Sequence, residues 1–113
     1  MHEIGALTKA AELVERVAAE HGVTQVRRVT LEVGELTGYL PVSFEKYFPI
    51  VAEDKPVLRG AELDIQVVRG QALCRDCGAL YNVLKQEGQC PQCASRNKEI
   101  IGDQQFVVKN IAF

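Results

Sequence analysis

No stretch of this chain approaches the roughly 18 consecutive apolar residues that a membrane-spanning helix needs. The opening Met1-His2-Glu3-Ile4 has neither the basic flank nor the apolar block of a secretory signal. A cytoplasmic protein with no membrane contact is expected. An excess of either charge is also missing, since 13 basic side chains face 15 acidic ones for a net charge of -2. That balance argues against a partner held by phosphate neutralisation, so nucleic acid is not an expected ligand. Repeats and low-complexity tracts are absent. So are a nucleophile beside a base, a phosphate-cradling glycine loop and a paired acid and base, and no enzyme is expected. Histidine is confined to His2 and His21, and cysteine to the stretch between Cys74 and Cys93. What is present is a globular composition, 47% hydrophobic and 25% charged, which excludes extended disorder and coiled coil. The 113 residues suffice for one domain, or for a small domain plus a mini-domain held by something other than core burial.

The cysteines are arranged as Cys74-Arg75-Asp76-Cys77, twelve further residues, and Cys90-Pro91-Gln92-Cys93. In a reducing compartment such clustered thiols are poor disulfide candidates. Paired C-x-x-C turns instead let four thiolates converge tetrahedrally on one soft divalent ion, with zinc the default. A four-thiolate site has no position for water or substrate, so its role is structural. Iron in the same cage, as in an electron carrier, is the competing metal. A redox dithiol fits poorly, because that chemistry needs one reactive pair rather than two symmetric ones. In residues 70–103 the large apolar side chains are only Leu73, Leu80, Tyr81, Val83, Leu84, Ile100 and Ile101. These cannot offset the ordering entropy alone, whereas structural zinc contributes ~10 to 16 kcal/mol in comparable peptides. Gly78, directly after the first pair, can take a positive backbone dihedral, while the matching residue of the second pair is Ala94. The second turn is therefore expected to be more ordinary.

Apolar residues Ile4, Leu7, Ala10, Ala11, Val14, Val17 and Ala18 recur at helical spacing over residues 3–20, and His21-Gly22 supplies a C-terminal stop. Val26, Arg28, Thr30 and Glu32 then alternate with Arg27, Val29, Leu31 and Val33, predicting a strand from residue 26 whose apolar face is the second set and whose other face is largely wet. Residues 34–38 read as a loop in which Glu35 and Thr37 are either turn residues or groups that reach a partner. Pro41 opens a second helix carrying Phe44, Tyr47, Phe48 and Val51, and Pro49 should kink it or divide it in two. Leu63, Ile65 and Val67 mark a second half-buried strand, and residues 106–113 a third. The passage from first to second strand is long enough for a right-handed parallel crossover. The last strand is expected to pair antiparallel with the second, leaving the cysteine segment to cap that hairpin. The fold expected is α+β: a small mixed sheet with two helices, residues 1–69 and 104–113, plus an inserted all-thiolate zinc ribbon, residues 70–103.

At the amino end, the Met1 amine, an ionised His2 amide and the His2 imidazole can chelate one ion in adjoining five- and six-membered rings. The amide or carboxylate of Glu3 can supply a fourth donor. Such nitrogen-rich, nearly planar sets favour nickel(II) or copper(II). The plainer alternative is a polar chain end before a helix, with Glu3 complementing its dipole. A rival from another class is a zinc-ribbon module that binds nucleic acid or a protein partner. Arg75, Lys85, Arg96 and Lys98 are however matched by Asp76, Glu87, Glu99 and Asp103, and Tyr81 is the one aromatic in the segment.

The opening Met1-His2-Glu3, the first helix, the stretch Leu31-Glu32-Val33-Gly34-Glu35-Leu36 and the pairs Cys74-x-x-Cys77 and Cys90-Pro91-x-Cys93 together resemble the HypA/HybF family of nickel metallochaperones. The resemblance covers essentially the whole chain. It implies an N-terminal nickel-binding domain with the Met1 amine, His2 and the Glu3 backbone as ligands, and a structural zinc held by Cys74, Cys77, Cys90 and Cys93. It also implies a role in inserting nickel into [NiFe]-hydrogenase, in some members urease, alongside the HypB GTPase and the hydrogenase large subunit. One departure is Ala94, where members commonly carry glycine or histidine. No histidine lies near the knuckles, so a nickel site borrowing a ligand there is not expected.

Overall fold

Helix α1 (His2–Glu20) forms where the apolar spacing placed it, and it buries Leu7, Ala10, Ala11, Val14 and Ala18 along one face. Its end is set by Gly22, at a φ of +66°. The amides of Gly22 and Val23 turn back to the carbonyls of Ala19 and Ala18, at 3.1 and 2.9 Å, and so satisfy two of the last turn's orphan acceptors. The His21 ring caps another through Nδ1, 2.9 Å from the Val17 carbonyl. This computed structural model describes residues 2–101 and 106–113.

Next come β1 (Arg28–Gly34), a 3₁₀ turn (Glu35–Thr37), α2 (Pro41–Ala52), a second 3₁₀ turn (Pro56–Leu58) and β2 (Glu62–Val68). Three short strands then follow, β3 (Gln71–Cys74), β4 (Leu80–Asn82) and β5 (Lys98–Ile100), before β6 (Phe106–Ala112). The described residues form two sheets, in the orders β2-β1-β6 and β4-β3-β5. In the first, β1 and β2 are parallel and joined through α2. The last strand pairs antiparallel with β1, not with β2 as expected, and the cysteine segment therefore joins the two outer strands instead of capping a hairpin. The central place falls to the strand richest in fully buried side chains: Val29, Leu31 and Val33 are at most 2% exposed. Placing it there removes both of its edges from water.

Of the face expected to be largely wet, Arg28 is exposed and Glu32 half-buried, whereas Val26, which lies ahead of the strand, and Thr30 are buried. Thr30 is buried between Asp64 and Asn110, its in-register neighbours on either side. Both helices lie against the opposite face, where Phe44, Phe48 and Ala52 of α2 meet the α1 stripe, Val26 and Leu58 in one core. Burying each such large side chain contributes ~1.5 to 3 kcal/mol. Tyr39, Phe44 and Phe106 add a ring cluster with centroid separations of 5.1 to 5.7 Å, tying the loop before α2 to β6. Pro49 does not divide α2, which runs unbroken from Pro41 to Ala52. Pro49 and Glu45 both face solvent, so the carbonyl that loses its amide partner is solvated instead of orphaned in the core.

Candidate metal centre

The small sheet sets the stage for the thiols. Strand β3 delivers Cys74 at its end, and the loop before β5 carries Cys90 and Cys93. Each C-x-x-C pair closes on itself in the same way. The amide of Gly78 donates to the Cys74 carbonyl at 2.9 Å, and that of Cys74 to Ala79 at 2.8 Å. In the second knuckle Ala94 donates to Cys90 at 2.9 Å, and Cys90 to Ser95 at 2.8 Å. The pseudo-twofold match extends to the backbone, where Gly78 has a φ of +77° and Ala94 one of +65°. The second turn is thus not more ordinary than the first. Bringing both sulfurs of a pair to one point requires the left-handed conformation next to it, whatever residue stands there.

Holding alanine in that conformation costs ~1 to 2 kcal/mol, partly offset by glycine's larger entropy loss on folding. Ala94→Gly is accordingly expected to stabilise the knuckle by about 0.5 kcal/mol. Gly78→Ala should destabilise it by about 1 kcal/mol. Thermal unfolding of the metal-loaded protein checks both signs.

All four sulfurs lie within 4.8 Å of one another, with Cys74 to Cys93 and Cys77 to Cys90 each at 3.5 Å. A tetrahedral ion with metal–sulfur bonds of ~2.3 Å spans sulfur–sulfur edges of about 3.8 Å, so the donor set fits such an ion. Cys74 and Cys90 are buried, and Cys77 and Cys93 face out. Electrostatics point the same way, because four acids at one spot cannot all ionise without a cation. The Cys90 thiol is drawn down to about 7, chiefly by the Cys93 amide, against burial and with help from the Gln92 amide. That of Cys74 is also lowered: burial opposes, but the amides of Cys77 and Asp76 and bonds from neighbouring thiols outweigh it. Cys77 is pushed up to about 12, because the neighbouring sulfurs and burial overcome the Ala79 amide. Cys93 is raised, with the Ser95 amide outweighed by Cys74 and burial. The buried member of each pair is drawn toward the thiolate, and a dication would relieve the conflict that pushes its partner up.

The amino-terminal candidates are placed differently. Met1 and the His2 side chain lie outside the described residues, as does the expected boundary between residues 103 and 104. The His2 backbone opens α1. Glu3 stands apart from the thiol cluster, and its Oε2 accepts the Leu40 amide at 3.3 Å, just ahead of α2.

Glu35 had no assigned partner in the sequence. Its Oε2 accepts the Gly70 amide at 2.7 Å and the Asn82 side chain at 3.3 Å, joining the 3₁₀ turn after β1 to the root of the small sheet. Leu36 packs directly over Gly70, where a Cβ would collide with it. Periodicity carries no sign of this clamp, whose partners are 35 and 47 residues away. Thr37 is a turn residue, bonded to Gly34 and Tyr39. Glu35→Ala leaves two donors without an acceptor, at ~1 to 3 kcal/mol. It is expected to free the small sheet's motion relative to the large one, visible as diverging nitrogen-15 relaxation rates for the two sheets, whereas unchanged rates would deny Glu35 that role.

These features define a small α+β metal-binding protein, with one sheet gathered around four thiols and the other built on a helical core. Among the described residues no helix is long and apolar enough to cross a membrane. The family described as "Hydrogenase/urease nickel incorporation, metallochaperone, hypA" matches residues 1–113, and the chain belongs to that family. It is 32% identical over 111 residues to "Hydrogenase maturation factor HypA" of Chlorobium limicola, with 98% of this chain and 95% of the relative covered. It is also 32% identical to "Hydrogenase maturation factor HybF" of Klebsiella pneumoniae, over 98% of this chain and 97% of that protein. Its fold matches the solution structure of the Ni metallochaperone HypA from Helicobacter pylori with a TM-score of 0.68 at 22% identity, covering 97% of this chain and 95% of that one. A second solution structure, of a HypA protein, gives 0.70 at 25% identity, covering 99% and 95%.

Proposed function

We propose that this chain is a non-enzymatic nickel chaperone of the cytoplasm. In this reading it binds nickel(II) at its amino end and delivers it for [NiFe]-hydrogenase maturation, while a structural zinc in the Cys74, Cys77, Cys90 and Cys93 cage holds the small sheet. The observation that carries this is family membership over the full 113 residues, from the Met1-His2-Glu3 opening to both cysteine pairs. The division into a nickel-binding domain, residues 1–69 and 104–113, and a zinc ribbon, residues 70–103, belongs to the same proposal. So do its partners, a HypB-type GTPase, the hydrogenase large subunit and urease maturation components. When bound, zinc would supply a cross-link between the two knuckles.

Support for the nickel donors comes from the start of α1. Helix α1 begins at His2, so the His2 and Glu3 amides have no carbonyl one turn earlier to satisfy them and are free to become donors. The Glu3 carboxylate is engaged with Leu40, which favours the Glu3 backbone over its side chain as the fourth donor.

Titrating nickel into untagged, zinc-loaded protein tests the reading, with visible spectroscopy reporting geometry. One nickel per chain beyond the zinc is expected. Affinity should be in the micromolar range and decline as pH falls through roughly 6.5 to 8, where imidazole and amine take up protons. Binding of no second ion would refute the proposal.

A further inference from the structure

We propose that Asp76 and Ser95 form a clasp that positions the two knuckles, holding Cys74 against Cys93 so that the cage captures its ion quickly and releases it slowly. This rests on the four-thiolate zinc reading above. Neither residue is a ligand. Ser95 Oγ donates to Asp76 Oδ2, linking a residue inside the first pair to one just after the second. Ser95 Oγ also accepts the Asn97 amide at 3.1 Å, and the Asn97 carbonyl accepts the Arg75 amide at 3.0 Å. The Ser95 carbonyl meanwhile accepts the Cys90 amide at 2.8 Å.

The two clasp residues also face the sulfurs. The Asp76 amide is directed at the Cys74 sulfur and the Ser95 amide at the Cys93 sulfur, and those two sulfurs lie 3.5 Å apart. One side-chain bond therefore draws together the backbone units that each hold one of these thiols. The knuckle fold does not itself demand the serine. Its counterpart in the first knuckle is Ala79, whose carbonyl accepts the Cys74 amide and whose amide faces Cys77, with no side-chain link at all. What the hydroxyl adds is the connection between knuckles.

That connection matters because Cys74 and Cys93 are 19 residues apart in the chain. Without a tie, the incoming ion would have to close the intervening loop itself. With the clasp, the ion meets an edge already formed, and a thiolate that lets go stays close enough to rebind before the ion escapes. The acceptor is a carboxylate, which strengthens the bond, although its solvent exposure limits the gain.

The test uses full-length, zinc-loaded protein with Ser95→Ala, Asp76→Ala, the double variant, Asp76→Asn and Ser95→Thr. Zinc transfer to a chromophoric chelator is timed, and cobalt substitution reports coordination through its visible bands. Ser95→Ala and Asp76→Ala are expected to lose zinc about tenfold faster than the parent, the scale of one charge-assisted bond. The double variant should be no faster than Ser95→Ala, because the Asp76 bond is already gone in that variant. Ser95→Thr should keep the parental rate, and Asp76→Asn, which retains an acceptor oxygen, should fall between. One ion per chain and an unchanged tetrahedral cobalt spectrum should persist throughout. Parental release rates in both alanine variants, or effects that add in the double variant, would overturn the clasp alone. A parent protein without one zinc in an all-sulfur site would instead refute the zinc reading beneath it. Should Ser95→Ala hold no ion at all, the intermediate rate of Asp76→Asn decides, and a parental rate there rejects the proposal.

Discussion

Replacing Cys90 by serine is expected to abolish stoichiometric metal binding at the thiol quartet and, with it, the fold of the small sheet. Cys90 is 2% exposed, and the buried cluster around it consists of Ala72, Cys74, Tyr81 and Cys90, with Ala79, Val83 and Ile100 partly buried beside them. Four of the sequence's large apolar candidates do little here: Leu80, Leu84 and Ile101 are more than half exposed, and Leu73 is only partly buried outside that cluster. Ordering each residue costs ~1 to 2 kcal/mol of backbone entropy, which so small a cluster cannot offset at about 25 cal/mol per Å². The metal, at ~10 to 16 kcal/mol, can. A serine hydroxyl stays protonated at neutral pH and supplies no thiolate. Amide signals of residues 71–100 should therefore collapse to the narrow range of an unfolded chain, while those of α1 and of β1 stay dispersed. A strong chelator applied to the unmodified protein should do the same. A small sheet that kept its dispersion after losing its metal would show that apolar packing suffices.

The contrast between the two sheets explains what could be read from the sequence. Helix α1 and the inward face of β1 were legible because a buried stripe imposes its own period on the residues, as in Leu7, Ala11, Val14 and Ala18 or in Val29, Leu31 and Val33; β6 was legible only as an apolar run, and on β2 the pattern over-reached, since Val67 is exposed. Periodicity reports which face is buried but not which strand lies alongside. The pairing of β6 with β1, and hence the burial of Thr30, was therefore out of reach. Of the two outcomes expected at Pro49, a kink or a division, the unbroken helix removes the division: whether an interior proline breaks a helix depends on whether the freed carbonyl meets water, and that depends on the helix's orientation. The cysteine quartet was legible because its spacing is dictated by the geometry of one ion. Ala94 shows the strength of that constraint, since convergence of the sulfurs overrode the residue's own preference. The Glu35 and Asp76–Ser95 links were invisible because each joins residues distant in sequence by single hydrogen bonds, which leave no pattern in either chain segment.

At the other end of the chain, His2→Ala is expected to lower nickel affinity by at least about 100-fold while leaving zinc content and fold intact. The imidazole is the one neutral ring donor in the proposed set, and without it the six-membered chelate ring is lost and only the amine and backbone donors remain. Square-planar nickel(II) gains from several strong nitrogen donors in one plane, so the penalty exceeds that of losing one contact in a flexible site. Among the described residues, the buried core of the helix starts at Leu7, and the Glu3 contact to Leu40 involves neither His2 nor the sulfur cage. Acetylating the Met1 amine should weaken binding comparably, since it removes the other donor whose proton nickel must displace. Glu3→Gln separates two versions of the site: glutamine can still accept the Leu40 amide and leaves the backbone donor in place, so near-normal nickel binding is expected if the main chain ligates. A large loss in that variant would move the fourth donor to the carboxylate. Isothermal titration of each zinc-loaded protein measures all three, and a tight nickel site surviving in His2→Ala would place the ligands elsewhere in the chain.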